Sequence, residues 1–217
     1  VKKSLWSAVL LALALTAGVE AQSAAISASS TDFYPAQLGG RWTFEVIENN
    51  KTKAATVFCD KMGKINHLDC MHLKSNDSRL SYWVQKTVDG VYIVQTSRKV
   101  LGFANLTITF DPPLRILKFP FKKGDHWEYQ GWGRTFIASK PLHVTFDDQG
   151  LKKVILNGTH YSAFQIASSY QVDKDPVQSQ LSWYAKGIGF LHSQSKRMEI
   201  TFKDFSPNPT PAAVVKH

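Results

Sequence analysis

One eleven-residue pattern occurs twice and constrains the fold more than anything else in the chain. Tyr34-Pro35-Ala36-Gln37-Leu38-Gly39-Gly40-Arg41-Trp42-Thr43-Phe44 returns 85 residues later, without a gap, as Phe119-Pro120-Phe121-Lys122-Lys123-Gly124-Asp125-His126-Trp127-Glu128-Tyr129. Both read aromatic-Pro-x3-Gly-x2-Trp-x-aromatic. Pro35 and Pro120 fix φ and remove a donor, so the chain enters extended. Gly39 and Gly124 supply a turn conformation that a Cβ would resist. Trp42 with Phe44, and Trp127 with Tyr129, are then two apart and share one face of a strand. The unit is a turn that launches a strand with two rings on one side. It builds a fold and performs no chemistry.

The first residues read as a targeting signal. Lys2 and Lys3 form a basic n-region, Leu5 to Gly18 an apolar h-region, and Val19-Glu20-Ala21 a small-residue cleavage site before Gln22. The apolar run is short of the about 20 residues of a membrane span, and no second stretch of spanning length follows. Residues 1–21 are therefore expected to be a signal peptide and 22–31 a flexible leader. A single β domain is expected over 32–205, with halves 33–110 and 119–203, and a disordered tail over 206–217. The signal looks bacterial, so the protein is expected to be exported, periplasmic or secreted, with no lipid on its new N-terminus.

Charge adds little more. The formal net charge is +9, and removal of two lysines and one glutamate with the signal lowers it by one. Scattered basic residues on an exported chain argue against nucleic acid and suit solubility, lipid headgroups or anionic polysaccharide. Cys59 and Cys70 are the only cysteines. In an oxidising compartment they read as one disulfide, provided their Cα atoms approach to about 4.4–6.8 Å.

From Phe33 onward β-branched and aromatic residues alternate with Gly, Asn, Asp and Pro punctuation, and no 3.6-residue apolar period is sustained. The fold class is mostly β: an antiparallel meander forming a strongly curved sheet or half-open barrel from two related β-units, with little helix. Strands are expected over 42–48, 53–59, 65–73, 79–86, 91–97, 106–110, 127–130, 135–138, 142–146, 152–156, 161–172, 178–184 and 190–202. Asp89-Gly90 marks a hairpin. Other turns are expected at Met62-Gly63, Gly131-Trp132-Gly133, Asp147 to Gly150, Asn157-Gly158 and Gly187-Ile188-Gly189. Pro112-Pro113 should stop a strand, and a short helix over 163–169 is conceivable.

Thr109-Phe110-Asp111-Pro112-Pro113, the second turn, and Trp183-Tyr184-Ala185-Lys186-Gly187-Ile188-Gly189-Phe190 follow in that order. Together they resemble an exported bacterial family of unknown function. Its members pair a Phe-Pro-Leu-x-x-Gly-x-x-Trp turn with a late Trp-Tyr-Ala-x-Gly-Val-Gly turn. Phe121 and Ile188 depart from that pattern, as does the stretch from His160 to Ala163. The resemblance implies architecture and no reaction. The family also looks similar to the curved sheets of periplasmic lipoprotein carriers, a likeness of fold alone.

Catalytic machinery is not legible. Gly-x-Ser-x-Gly, His-Glu-x-x-His and P-loop motifs are absent from the sequence, so a non-enzymatic protein without a cofactor is expected. His67-Leu68-Asp69-Cys70-Met71-His72 has ligand-bearing side chains, but Cys70 is more simply the partner of Cys59, and no metal is expected. Asp147-Asp148 and Asp173 with Asp175 fall in turn-rich segments, where acids cap or solvate. The aromatic stock of 6 Trp, 7 Tyr and 13 Phe fills a β core in the plainest reading. Trp83, Trp132 and Trp183 stand outside the paired motif and are the groove candidates, with basic Lys122, Lys123 and Arg134 nearby. The expected function is binding of an apolar or amphiphilic ligand such as lipid. The alternative is an interaction module for an envelope protein or polysaccharide.

Overall fold

Side chains alternate in and out along nearly every strand. In β1 (Arg41–Glu48), Trp42, Phe44 and Val46 are buried while Arg41 and Ile47 are exposed. In β7 (His126–Arg134), Trp127 and Tyr129 are buried between exposed His126, Glu128 and Gln130. Repeated through the chain, this period of two yields an apolar interior and a polar outside. The computed structural model describes residues 33–76, 80–100 and 104–207; the expected signal and leader, and most of the expected tail, lie outside them.

The remaining strands are β2 (Lys51–Ile65), β3 (Leu68–Ser75), β4 (Leu80–Lys86), β5 (Gly90–Val100) and β6 (Ala104–Lys118) in the first half. The second half adds β8 (Ser139–Leu156), β9 (Thr159–Val172), β10 (Gln178–Ala185), β11 (Gly189–Ser195) and β12 (Met198–Ser206). Each pairs antiparallel with its sequence neighbours, and β1 pairs with β12, so the meander closes into a barrel. Closure removes both free edges that an open curved sheet would leave. The outward faces carry charge, the reverse of a membrane-spanning barrel, whose outside is an apolar band. No helix among the described residues is long and apolar enough to cross a membrane.

The two copies of the motif are built alike. Gly39 and Gly124 adopt φ of 85° and 86°, values that suit a residue without Cβ. The Gly39 and Gly40 backbone exchanges hydrogen bonds with Cys59 of β2: Gly39 N–H donates to Cys59 O (2.9 Å) and Cys59 N–H donates to Gly40 O (3.0 Å). In the second copy Gly124 N–H donates to Asp148 O (2.7 Å) and Asp148 N–H to Asp125 O (2.9 Å). Both docking residues sit at bulges, between Cys59 and Lys61 in one half and between Asp148 and Leu151 in the other. Even the next hairpins match, with Asn66-His67 and Asn157-Gly158 both at positive φ, as a two-residue type I′ turn requires.

The two turns meet at one end of the barrel. Phe33 packs edge-on against Phe121 (5.0 Å) and Phe164 (5.5 Å), and Phe121 stacks on Phe164 (4.5 Å). Lys86 Nζ donates to Tyr34 O at 2.9 Å, which pins the entering chain. We call this the proximal end. The described links β1–β2, β7–β8, β9–β10 and β11–β12 lie at the opposite, distal end.

Several boundaries differ from the sequence expectation. The Met62-Gly63 and Gly131-Trp132-Gly133 segments continue as strand, because β2 and β7 run on beyond their glycines. Asp147 to Gly150 is a bulge within β8, not a turn. Residues 163–169 belong to β9, and residues 135–138 are a turn. The long expected strand 190–202 is two strands, folded at Lys196-Arg197. Pro112-Pro113 interrupts the ladder without ending the strand: Ile93 pairs with Leu114 and Gln95 with Thr109, so four residues of β6 stand opposite Val94 alone.

On the β7 side that interruption matters more. β6 and β7 share only the pairs Thr109–Arg134, Phe110–Gly133 and Asp111–Trp132. Beyond them side chains replace the ladder: Tyr129 Oη donates to Pro112 O (2.8 Å) and Trp127 Nε1 to Arg115 O (3.2 Å). A Cβ on Gly131 would lie 2.7 Å from Asp111 O and 2.4 Å from Tyr129 Oη, so only glycine admits this approach.

The expected disulfide does not form. Cys59 and Cys70 are both buried free thiols. Cys59 pairs with Leu73 and faces the core with it, whereas Cys70 pairs with Gly63 and points to the opposite face from Met71 and Leu73. The two cysteines thus lie on opposite faces and three positions apart along β3, roughly 10 Å at the usual rise per residue, beyond bridging distance.

Candidate functional site

Parity decides which side of the barrel each candidate residue faces. Trp132 is five residues from Trp127, an odd number, so one indole points inward and the other outward. Trp127 stacks on Phe146 inside (5.1 Å), and Trp132 is 45% exposed outside. It stands opposite Asp111 of β6 and Pro141 of β8. Around it opens a groove of about 540 Å³ on the outer wall near the distal end. Pro112 and Pro141 give it apolar surface beside the indole, and Gln130, His143 and Gln171 give it polar rim.

Ion pairs frame the groove. Arg134 Nε and Nη2 both donate to Asp111 Oδ2 (3.0 and 2.7 Å). Lys140 Nζ reaches Asp173 Oδ2 at 2.9 Å, while the Asp173 N–H donates to Pro141 O at 2.8 Å. His143 Nε2 lies 3.1 Å from Glu128 Oε2. Hydrogen bonds from Gln130, then His143 and His126, hold the Glu128 carboxyl below its ordinary range. On the other flank, the hydrogen bond to Asp147 raises the His126 imidazole. The rim is charged and internally neutralised, and the indole is its exposed apolar element.

Of the candidates from sequence, Trp132 and Arg134 come together here. Trp83 lies elsewhere on the outside, on β4, tilted against His72 (4.6 Å) with Lys61 Nζ 5.3 Å from its ring. Trp183 on β10 is buried against His192 (4.9 Å). Burial pushes the His192 imidazole down, with Glu199 opposing. Lys122 belongs to the proximal turn, at the other end of the barrel from the groove. Pro35 and Pro120 enter the motif turns; Gly187 and Gly189 take positive φ at the β10–β11 turn, where Ile188 O accepts the Trp42 indole N–H at 2.9 Å.

The His67 to His72 cluster disperses. His67 is in the hairpin turn, Asp69 pairs with Lys64 (2.8 Å), and His72 Nδ1 lies 2.5 Å from Asp60 Oδ1. Among the described residues no group of three or more His, Cys, Asp or Glu side chains could hold a metal ion.

The interior offers a different opening. Ser168, Gln180 and Ser182 put polar atoms on the inner wall beside Leu114, Ile116, Val144 and Phe146, around a cavity of about 30 Å³. That admits one or two waters, not an acyl chain. The groove residues that sequence reasoning passed over are Pro112, Pro141, His143, Gln171 and Asp173. They come from four separate strands and loops, and only the odd spacing of Trp127 and Trp132 announced an outward indole.

The fold and groove thus define a twelve-stranded up-and-down β-barrel, packed inside, with an aromatic groove on its wall. No protein-family model matches the chain, and no curated protein does. Among solved structures it is similar to a candidate lipoprotein from Parabacteroides distasonis, at 8% identity over 81% of this chain and 98% of that one, with a TM-score of 0.47. A candidate exported protein with a YmcC-like fold from Bacteroides fragilis matches at 10% identity over 81% and 99%, TM-score 0.43. The hypothetical lipoprotein YmcC from Escherichia coli matches at 14% identity over 77% and 88%, TM-score 0.41.

Proposed function

We propose that the chain is an exported, non-enzymatic binder of an amphiphilic, lipid-like ligand, held in the outer groove and not inside the barrel. The observation that carries this is Trp132, an indole exposed between Pro112 and Pro141 over about 540 Å³ of open groove. Small-molecule sites are concave and combine apolar surface with a few placed polar groups, and this groove sets an exposed indole and two prolines among polar side chains. The apolar part of a ligand would lie along the indole and prolines. Its head would meet Gln130, His143 and Gln171. A sugar ring is the second reading, since an indole face beside amides and carboxylates also suits a saccharide.

Isothermal titration with a monomeric lysophospholipid tests the first reading. Removing one well-used indole by Trp132→Ala should weaken binding by about tenfold, the equivalent of 1.4 kcal/mol. An uncharged oligosaccharide that binds where the lysophospholipid does not would establish the second reading. Binding of the lysophospholipid that ignores Trp132→Ala would remove the groove from the account.

A further inference from the structure

The β7–β8 hairpin projects two large apolar side chains from one tip, where the β4–β5 turn at the proximal end projects one, Val88. Other two-residue turns carry Asn49-Asn50, Asn66-His67, Asn157-Gly158 and Lys196-Arg197, polar residues as turn chemistry favours. Between Arg134 and Ser139 the tip instead carries Phe136 and Ile137, which are 85% and 74% exposed. This presentation is built. Thr135 N–H donates to Ala138 O (2.7 Å), and Thr135 Oγ1 accepts from the N–H groups of Ala138 (3.0 Å) and Ile137 (3.3 Å). The turn therefore satisfies its own backbone groups while projecting two large apolar side chains into water.

The neighbouring β9–β10 turn adds a third. Val177 is 60% exposed, and that turn is tied to the start of β8 by Asp173 N–H to Pro141 O and by Lys140 to Asp173. The same distal end is basic. Lys51, Lys174, Lys196 and Arg197 are exposed in or beside its turns. Of its described carboxylates, Glu48, Asp111 and Asp173 are each engaged by a cation, from Lys53, Arg134 and Lys140, and Asp175 and Glu199 stand in or beside the same turns, so the described turns remain net positive. Apolar side chains at a tip, flanked among the described residues by net positive charge, complement an anionic lipid surface: the apolar side chains enter the headgroup boundary and the cations meet the phosphates. A saccharide or nucleic-acid partner would use the cations and leave Phe136 and Ile137 without a role.

We infer that the distal end docks peripherally on an anionic bilayer, with Phe136 and Ile137 inserted into its interface. This surface is separate from the Trp132 groove and stands without it, although a groove beside the tip would open close to the headgroups.

Co-sedimentation of the chain from Gln22 to His217 with phosphatidylglycerol-containing phosphatidylcholine vesicles tests the inference. The unsubstituted chain should bind, weaken as salt rises, and bind pure phosphatidylcholine less well. The double variant Phe136→Ser/Ile137→Ser should lose about tenfold or more in partitioning, with an unchanged melting curve because both side chains are already in water. Trp132→Ala, which should weaken lysophospholipid binding about tenfold, should leave most of the vesicle binding in place. Failure of the groove and failure of the docking surface are thereby told apart. Equal vesicle binding by the tip variant would overturn the inference. So would concentration-dependent self-association that the tip variant abolishes, since the occupant would then be a second copy of the chain.

Discussion

The turn before Trp42 and the turn before Trp127 dock through the same backbone hydrogen bonds, yet one docks on a thiol and the other on a carboxyl. Cys59 and Asp148 occupy matching bulges, both buried. Burial first, then the Asp60 charge, pushes the Cys59 thiol up to about 11. Burial likewise raises the Asp148 carboxyl, with Asp125 adding to it. One Asp148 oxygen accepts from Gly150 N–H at 2.7 Å, and the other is buried without a hydrogen-bond partner in the structure. What the two halves share is main-chain geometry. A bulge that docks a turn through its own N–H and C=O does not read its side chain, so the chemistry there is free to differ.

The seams between the halves differ as well. β1 and β12 pair over eight residues of β1, whereas β6 and β7 pair over three and then rely on Tyr129 and Trp127. The largest expected effect comes from the rings themselves. Trp42→Ala and Trp127→Ala should each cost about 3–5 kcal/mol in chemical denaturation. Trp42 should be the worse loss, because it is fully buried and stacks on Phe205 at 5.0 Å. A milder Trp42 variant would mean that the long seam does not depend on it.

Smaller effects test the equivalence of the turns. Gly39→Ala and Gly124→Ala should each destabilise by about 1 kcal/mol through positive φ alone. For Gly124 nothing lies within 4 Å of the added Cβ, so a larger loss there would show that the turn must move.

The bulge residues should separate by pH. An Asp148 whose folded value lies above 3.8 holds its proton more tightly when folded. Its contribution to stability is therefore level below 3.8, falls as pH rises from there through the folded value, and is level again above it. Asp148→Asn should lose that fall, seen as a pH-dependent difference between the two proteins in denaturation midpoints. Cys59 should stay protonated and slow to alkylate at pH 8, and denaturation without reductant should release two titratable thiols. Fewer than two would restore the bridge.

The duplication was readable because it lies in local backbone chemistry, Pro, Gly and a period of two, which acts within a few residues. The strand boundaries were less so, since Gly63, Gly131 and Gly150 carry the same local signals whether they turn the chain or bulge it. Partner strands decide between those outcomes. Closure was not visible either, because β1–β12 pairing joins residues more than 140 positions apart. The groove depends on five elements meeting, and the β7–β8 tip carries strand signals in sequence because Thr135, Phe136 and Ile137 all favour one. The hydrogen bonds of Thr135 overrule that preference.

Joining β1 to β12 also places the beginning and end of the described chain side by side, where the Gln37 amide donates to Pro207 O at 2.8 Å. A short linker there, with new termini cut at Asn49-Asn50, should give a circular permutant with the same walls. For the same reason, a dye or fusion partner attached near Pro207 would sit roughly a strand length, some 25 Å, from Phe136, and would leave that end of the molecule unobstructed.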